Sequence, residues 1–165
     1  MILPILIEPN KILRQKAAPL SEEKIKTKAF QRLAADMSET MRAKDGVGLA
    51  APQVGESSRL CVIAKEYAGQ KDDLVLINPE WKKLSLLRVL AEEGCLSVPN
   101  MAGKVRRYKK IKVRTLDKNG QPINFIAEDM FARIIQHEID HLDGILFIDK
   151  AKDLRQTDKK VHPVK

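Results

Sequence analysis

Five consecutive residues, His137-Glu138-Ile139-Asp140-His141, are the part of this chain best equipped for chemistry. On an α-helix, positions i and i+4 lie one above the other on the same face, so both imidazoles can reach a single ion. Glu138 then projects to the side of that ion, where a carboxylate can take a proton from water. As plain packing residues, the same five would leave Glu138 a buried acid with no purpose, which is costly. The pair uses two of the chain's 3 histidines; His162 lies in a polar C-terminal stretch and reads as solvated. A catalytic site of this type normally has three protein ligands and one open position. A distant acid, a histidine or a cysteine could supply the third.

Cys95 is the candidate. It stands in Glu92-Glu93-Gly94-Cys95-Leu96-Ser97, between two expected strands, and Gly94 permits a tight backbone turn there. A thiolate at that point brings one negative charge to the ion; the competing reading is a small buried residue. Cys61, inside the apolar run Leu60–Ala64, reads as core. A third stretch, Gly46-Val47-Gly48-Leu49-Ala50-Ala51-Pro52-Gln53, has glycines at alternate positions, which let backbone approach closely. Gln53 is a neutral donor of the kind that stabilises an oxyanion. The stretch lacks the spacing and the lysine of a phosphate loop.

The elements that must hold these residues follow from periodicity. Phe30, Leu33, Ala34, Met37 and Met41 form one apolar stripe, so residues 25–43 are expected as an amphipathic helix. Leu60–Ala64 and Leu74–Ile77 are β-rich runs, the second expected to stop at Asn78-Pro79. Lys110–Thr115 alternates basic with apolar or Thr, Lys118-Asn119-Gly120 turns, and Pro122–Ile126 returns as the second arm of a hairpin. Met130, Phe131, Ile134, Ile135 and Leu142 are helical again, with Gly144 as the C-terminal stop. Met1–Ile7 is apolar but too short, and without the basic start, for a leader; it is expected as a strand or an extended packing segment. Helix, several strands, then helix argues for α+β rather than a doubly wound sheet. The expected architecture is one domain, with small antiparallel or mixed sheets around a central metal-binding helix.

With 165 residues the chain has room for one domain, and no apolar run approaches the roughly 20 residues of a membrane helix. Two cysteines cannot build a disulfide framework, which suits a reducing cytoplasm. The net charge of +8 is uneven. Residues 104–114 carry +7 and residues 150–165 carry +4, leaving −3 elsewhere. Such segments suit an anionic partner such as RNA, or a solvated strand face and a loose end from about Asp153. Tyr108 is the only aromatic among the bases of residues 104–114.

Taken in order, Gly46–Gln53 (GVGLAAPQ), Glu93–Ser97 (EGCLS) and His137–His141 (HEIDH) resemble the three signature motifs of bacterial peptide deformylase, and each matches without a departure. The looser similarity runs from about Ile5 to about Asp149. The resemblance implies a catalytic domain over residues 1–150 and a short basic tail over 151–165. It implies an amide hydrolase that removes the formyl group from the N-terminal formyl-methionine of nascent proteins. Cys95, His137 and His141 would bind one divalent ion. Fe²⁺ is the ion the family favours; the ligands also suit Zn²⁺, Co²⁺ and Ni²⁺. Metal-bound water would attack the formyl carbon with Glu138 as base and then acid, while Gln53 and the Leu96 N–H face the oxyanion. Val47, Gly48, Met130, Arg133 and Ile134 are substrate-side candidates; Arg133 would hold a peptide carbonyl or pair with an acid. A cytoplasmic monomer is expected, free of any membrane and meeting the ribosome through its basic surface. Two other readings compete. A zinc endopeptidase shares HExxH, but no glutamate follows His141 to complete it. An RNA-binding module with a structural metal would need a fourth strong ligand.

Overall fold

The computed structural model describes residues 1–158, so His162 and residues 159–165 lie outside the described part. Thr27 decides where the first long helix begins. Its hydroxyl accepts from the Phe30 N–H at 3.2 Å, capping α2 (Lys28–Ala43). The helix expected over 25–43 therefore starts at Lys28, and a separate turn, α1 (Glu22–Ile25), with Ser21 as its own cap, precedes it. Phe30, Ala34, Met37 and Met41 of the stripe are buried, as amphipathic packing requires.

Strands follow: β1 (Gly48–Ala50), β2 (Leu60–Ile63), the short helix α3 (Lys65–Ala68), β3 (Leu74–Lys83), β4 (Arg88–Cys95), β5 (Val98–Tyr108), β6 (Lys110–Leu116) and β7 (Pro122–Glu128). The helix α4 (Asp129–Leu142) and a last strand, β8 (Lys152–Gln156), complete the described chain. A five-stranded sheet runs in the order β1-β2-β3-β6-β7 and a three-stranded sheet in the order β4-β5-β8, and the strand pairs are antiparallel. The β6–β7 hairpin lies where the alternation placed it.

Two further expectations are corrected. Asn78-Pro79 does not stop β3. Asn78 takes φ 49, the ladder shifts register between Ile77 and Glu80, and the strand continues past a bulge. The Asn78 side chain is held there by both backbone groups of Leu20, at 2.8 and 2.9 Å. Residues 153–156 are not loose, because β8 pairs with β5. All five β8 residues are exposed, so no hydrophobic alternation betrayed the strand. Of the two forms expected for Met1–Ile7, the structure shows the extended packing segment rather than the strand. Its Leu3 N–H donates to Thr40 Oγ1 and its Leu6 N–H donates to the Gln53 carbonyl, both at 2.8 Å.

The main core lies between the larger sheet and α4, where Ile63, Leu76, Ile111 and Val113 meet Ala132, Ile135, Ile139 and Leu142. A second cluster packs α2 on β1 and β2, and a third joins Leu13, Cys95, Val98, Val105 and Phe147. Every residue of α4 from Ala132 to Leu142 is buried. The central helix is therefore enclosed, and its polar residues must find partners inside the protein. Its end is sharp: Gly144 takes φ 74, and a Cβ there would lie 2.7 Å from the Arg14 carbonyl. Among the described residues, no helix is long and apolar enough to cross a membrane.

Candidate active site

α4 presents His137 and His141 on one face, and β4 ends by delivering Cys95 against them. The Cys95 Sγ lies 3.2 Å from His141 Nε2, which lies 3.2 Å from His137 Nε2. The three ligand atoms fall within 4.8 Å of one another, and all three residues are buried. A thiol and two imidazole nitrogens converging this closely fit a soft or borderline divalent ion. Glu138 Oε2 is buried beside them without a hydrogen-bond partner. A side chain this buried normally has one, so an atom at that point has an unmet demand for a proton or a water.

Gly48 makes room for that carboxylate. A Cβ on Gly48 would stand 2.4 Å from Glu138 Oε1 and 2.8 Å from its carboxyl carbon. Gln53 is aimed at the same place. Its Oε1 accepts from the Ala50 N–H at 2.9 Å, which fixes the amide. Its Nε2 then points at Cys95 Sγ at 3.5 Å and at Ser97 Oγ at 3.2 Å. The Ser97 N–H also reaches the sulfur, at 3.4 Å. Leu96 lies between these two, half-buried.

Behind the histidines sits a buried ion network. Glu93 is 0% exposed, and its Oε2 faces His137 Nδ1 at 2.9 Å, so the imidazole turns Nε2 toward the cluster. Arg107 grips the same carboxylate with two N–H groups, both at 2.9 Å, and also contacts Asp140. Lys150 closes the other side of Asp140 at 2.7 and 2.8 Å.

The charges follow from this packing. Burial pushes the Glu93 carboxyl up, but hydrogen bonds from His137 and Arg107 outweigh it and hold the acid well below the usual range. Burial pushes Glu138 up to about 7. For His137, burial acts downward, yet Cys95 and Glu93 raise it to about 10. Burial and the neighbouring His137 drive His141 well below the ordinary value.

The family described as polypeptide deformylase matches residues 2–157. The chain belongs to that family. A peptide deformylase of Syntrophomonas wolfei is 48% identical over 154 residues, covering 93% of this chain and 96% of the relative. The Met-Ala-Ser-bound crystal structure of a class I type b peptide deformylase from Acinetobacter baumannii superposes with a TM-score of 0.84 at 38% identity, covering 91% of this chain and 98% of that one. The peptide deformylase of Thermotoga maritima matches with a TM-score of 0.84 at 36% identity, covering 92% and 99%. The protein is thus a hydrolase of the deformylase family, built as α+β in one small domain.

The substrate-side candidates divide. Met130 and Arg133 line a cavity of about 240 Å³ with Val89, Ala91 and Tyr108, one helical turn before His137. Ile134 and Val47 sit in the apolar core instead, 0% and 8% exposed. A wider hollow of about 530 Å³ beside Arg59 and Trp81 has neither Cys95 nor a histidine in its walls. The basic segment holds what sequence reasoning missed. Arg107 belongs to the run whose charge suits a solvated face or RNA, yet it is 4% exposed and paired to two acids. Period-two alternation was the available signal, since Val105 and Arg107 share the buried face of β5. Tyr108 packs on Trp81 at 5.7 Å and lies under Arg88 at 5.1 Å, so it is not a free stacking platform.

Proposed function

We propose that the protein removes the formyl group from the N-terminal formyl-methionine of nascent chains, in the cytoplasm and as a monomer. The buried, unpartnered Glu138 Oε2 beside the Cys95-His137-His141 cluster carries the reading. Cys95, His137 and His141 would hold the ion, with Fe²⁺ as the family's choice and Zn²⁺, Co²⁺ or Ni²⁺ compatible with the donors. When bound, a divalent ion supplies a Lewis acid that lowers the pKa of water and polarises the formyl carbonyl.

The chain's own residues do the rest. Glu138 takes the proton of the attacking water and later gives it to the leaving amine of methionine. Burial holds this carboxyl above the ordinary carboxylate range, which favours both directions of that transfer. Gln53 Nε2 and the Leu96 N–H face the oxygen that becomes anionic. Glu93 keeps the His137 ring turned, and Gly48 keeps Glu138 close. The cavity lined by Val89, Met130 and Arg133 would take the methionine side chain. A relative whose crystal structure is bound to Met-Ala-Ser supports a methionyl peptide as the ligand class. Residues 1–150 would carry the catalysis, and the basic tail beyond them would meet ribosomal RNA.

The deciding assay offers formyl-Met-Ala-Ser, acetyl-Met-Ala-Ser and unfolded casein to the purified protein. The reading expects fast release of formate, much slower release of acetate, whose methyl needs extra room and deactivates the carbonyl, and no internal cleavage. Internal cleavage of casein with formyl-Met-Ala-Ser left intact would replace it with the endopeptidase reading. Removing residues 159–165, which keeps β8 whole, should weaken ribosome co-sedimentation at low salt and leave peptide hydrolysis unchanged; equal co-sedimentation would refute the RNA contact.

A further inference from the structure

Arg133 is a buried cation for which the chemistry above has no step. It is 5% exposed, and its guanidinium donates to three acceptors. Nη1 donates to Glu93 Oε1 at 2.7 Å and to the Val105 carbonyl at 2.9 Å. Nη2 donates to the Val89 carbonyl at 2.6 Å. Val89 belongs to β4 and lines the cavity, Val105 belongs to the neighbouring β5, and Glu93 holds His137 through its other oxygen. One planar group therefore touches both the cavity wall and the carboxylate that turns a ligand imidazole.

Neutralising Glu93 does not require this second guanidinium. Arg107 already pairs with both carboxylate oxygens. Burying a further cation is expensive unless good acceptors compensate it. What Arg133 adds is a fixed geometry, because a rigid fork can hold two backbone carbonyls and a carboxylate at once while a single ammonium cannot. Its stem lies along the cavity, and its Cα stands one turn before His137 on the same helix, so a shift of the wall and a shift of the imidazole are mechanically linked.

We propose that Arg133 is a positioning residue that ties the wall of the methionine cavity to the Glu93–His137 hydrogen bond, so that side-chain fit and ligand orientation are set together. The inference rests on the deformylase reading for the cavity's occupant. It predicts that one substitution changes two quantities that a merely structural residue would leave alone: the rate of metal loss and the choice of side chain.

The experiment compares wild type, Arg133→Met, which keeps an apolar stem without donors, and Arg133→Lys. The ion is stripped by a chelator under anaerobic conditions. Separately, kcat/KM is measured for formyl-Met and formyl-Phe peptides. Metal loss from Arg133→Met should be faster by about 10–100-fold, the usual effect of removing a partner that orients a metal ligand. Its preference for formyl-Met over formyl-Phe should fall severalfold as the freed wall admits the larger ring, and Arg133→Lys should recover part of both. Wild-type values of either quantity in folded Arg133→Met overturn the proposal, since the two must move together. If Arg133→Met does not fold, Arg133→Lys carries the same test with the same two readouts. A wild type that releases no formate from either peptide would refute the deformylase reading instead, while the chelation rates would still judge the link from Arg133 to His137.

Discussion

Cys95 and Cys61 are both buried thiols in β-strands, yet only one faces the histidines. Cys61 is 0% exposed within β2, and burial raises its pKa well above the ordinary value, so it remains a neutral core residue. Cys95→Ala should lose the metal and the activity, whereas Cys61→Ala should keep both. Metal analysis checks this, and equal metal in wild type and Cys95→Ala would remove Cys95 from the ligand set. Glu138→Gln preserves shape but cannot accept the proton. It should retain the ion while kcat falls by at least ~10²-fold, the low end for general acid–base catalysis. Near-normal turnover at saturating substrate would reject the role. At this scale much was legible, because HEIDH, EGCLS and GVGLAAPQ are continuous in sequence and their spacing reports directly on a helix face or a turn. Glu93 and Arg107 were not legible as a pair, because 14 residues and a strand reversal separate them. Only the β4–β5 register brings Glu93 and Arg107 into one buried layer.

The elements explain why the site needs a glycine from one strand and a glutamate from the central helix. β1 runs so close to α4 that no side chain fits between Gly48 and Glu138. Gly48→Ala should therefore push Glu138 out of place and lower kcat toward the Glu138→Gln level, with the ion retained. Unchanged kcat would mean that Glu138 relaxes freely and that the close approach is incidental. Periodicity found α2, α4 and the β6–β7 hairpin because each has one apolar face and one wet face. It missed the continuation of β3, where a side chain–backbone pair between Asn78 and Leu20 outweighs the Asn-Pro stop signal. It also missed β8, an exposed edge strand whose order comes from backbone pairing alone.

Across the whole molecule, charge is sorted by depth. Part of the basic segment is internal wiring: Arg107, with Lys150 from the following loop, grips acids that steady α4. The ion-free site also has a defined acid–base direction. His137 retains its proton to about pH 10, above the ordinary histidine value of about 6.5. An ion must displace that proton to bind. Metal loading should therefore strengthen as pH rises from about 6 to 9 and release protons into a weak buffer. Titration calorimetry in two buffers of different ionisation enthalpy measures both effects, and pH-independent loading without proton release would contradict the assignment of His137 as a ligand.

The central claim is that formate release depends on an ion held by Cys95, His137 and His141. Its most direct test measures bound metal and formate release from formyl-Met-Ala-Ser on the same anaerobically purified sample, before chelation, after chelation and after Fe²⁺ is returned. The account predicts that activity tracks bound ion through all three states and that the Cys95→Ala protein stays inactive throughout. Full activity in the chelated, metal-free protein, or bound Fe²⁺ at that cluster with no formate released, would contradict it.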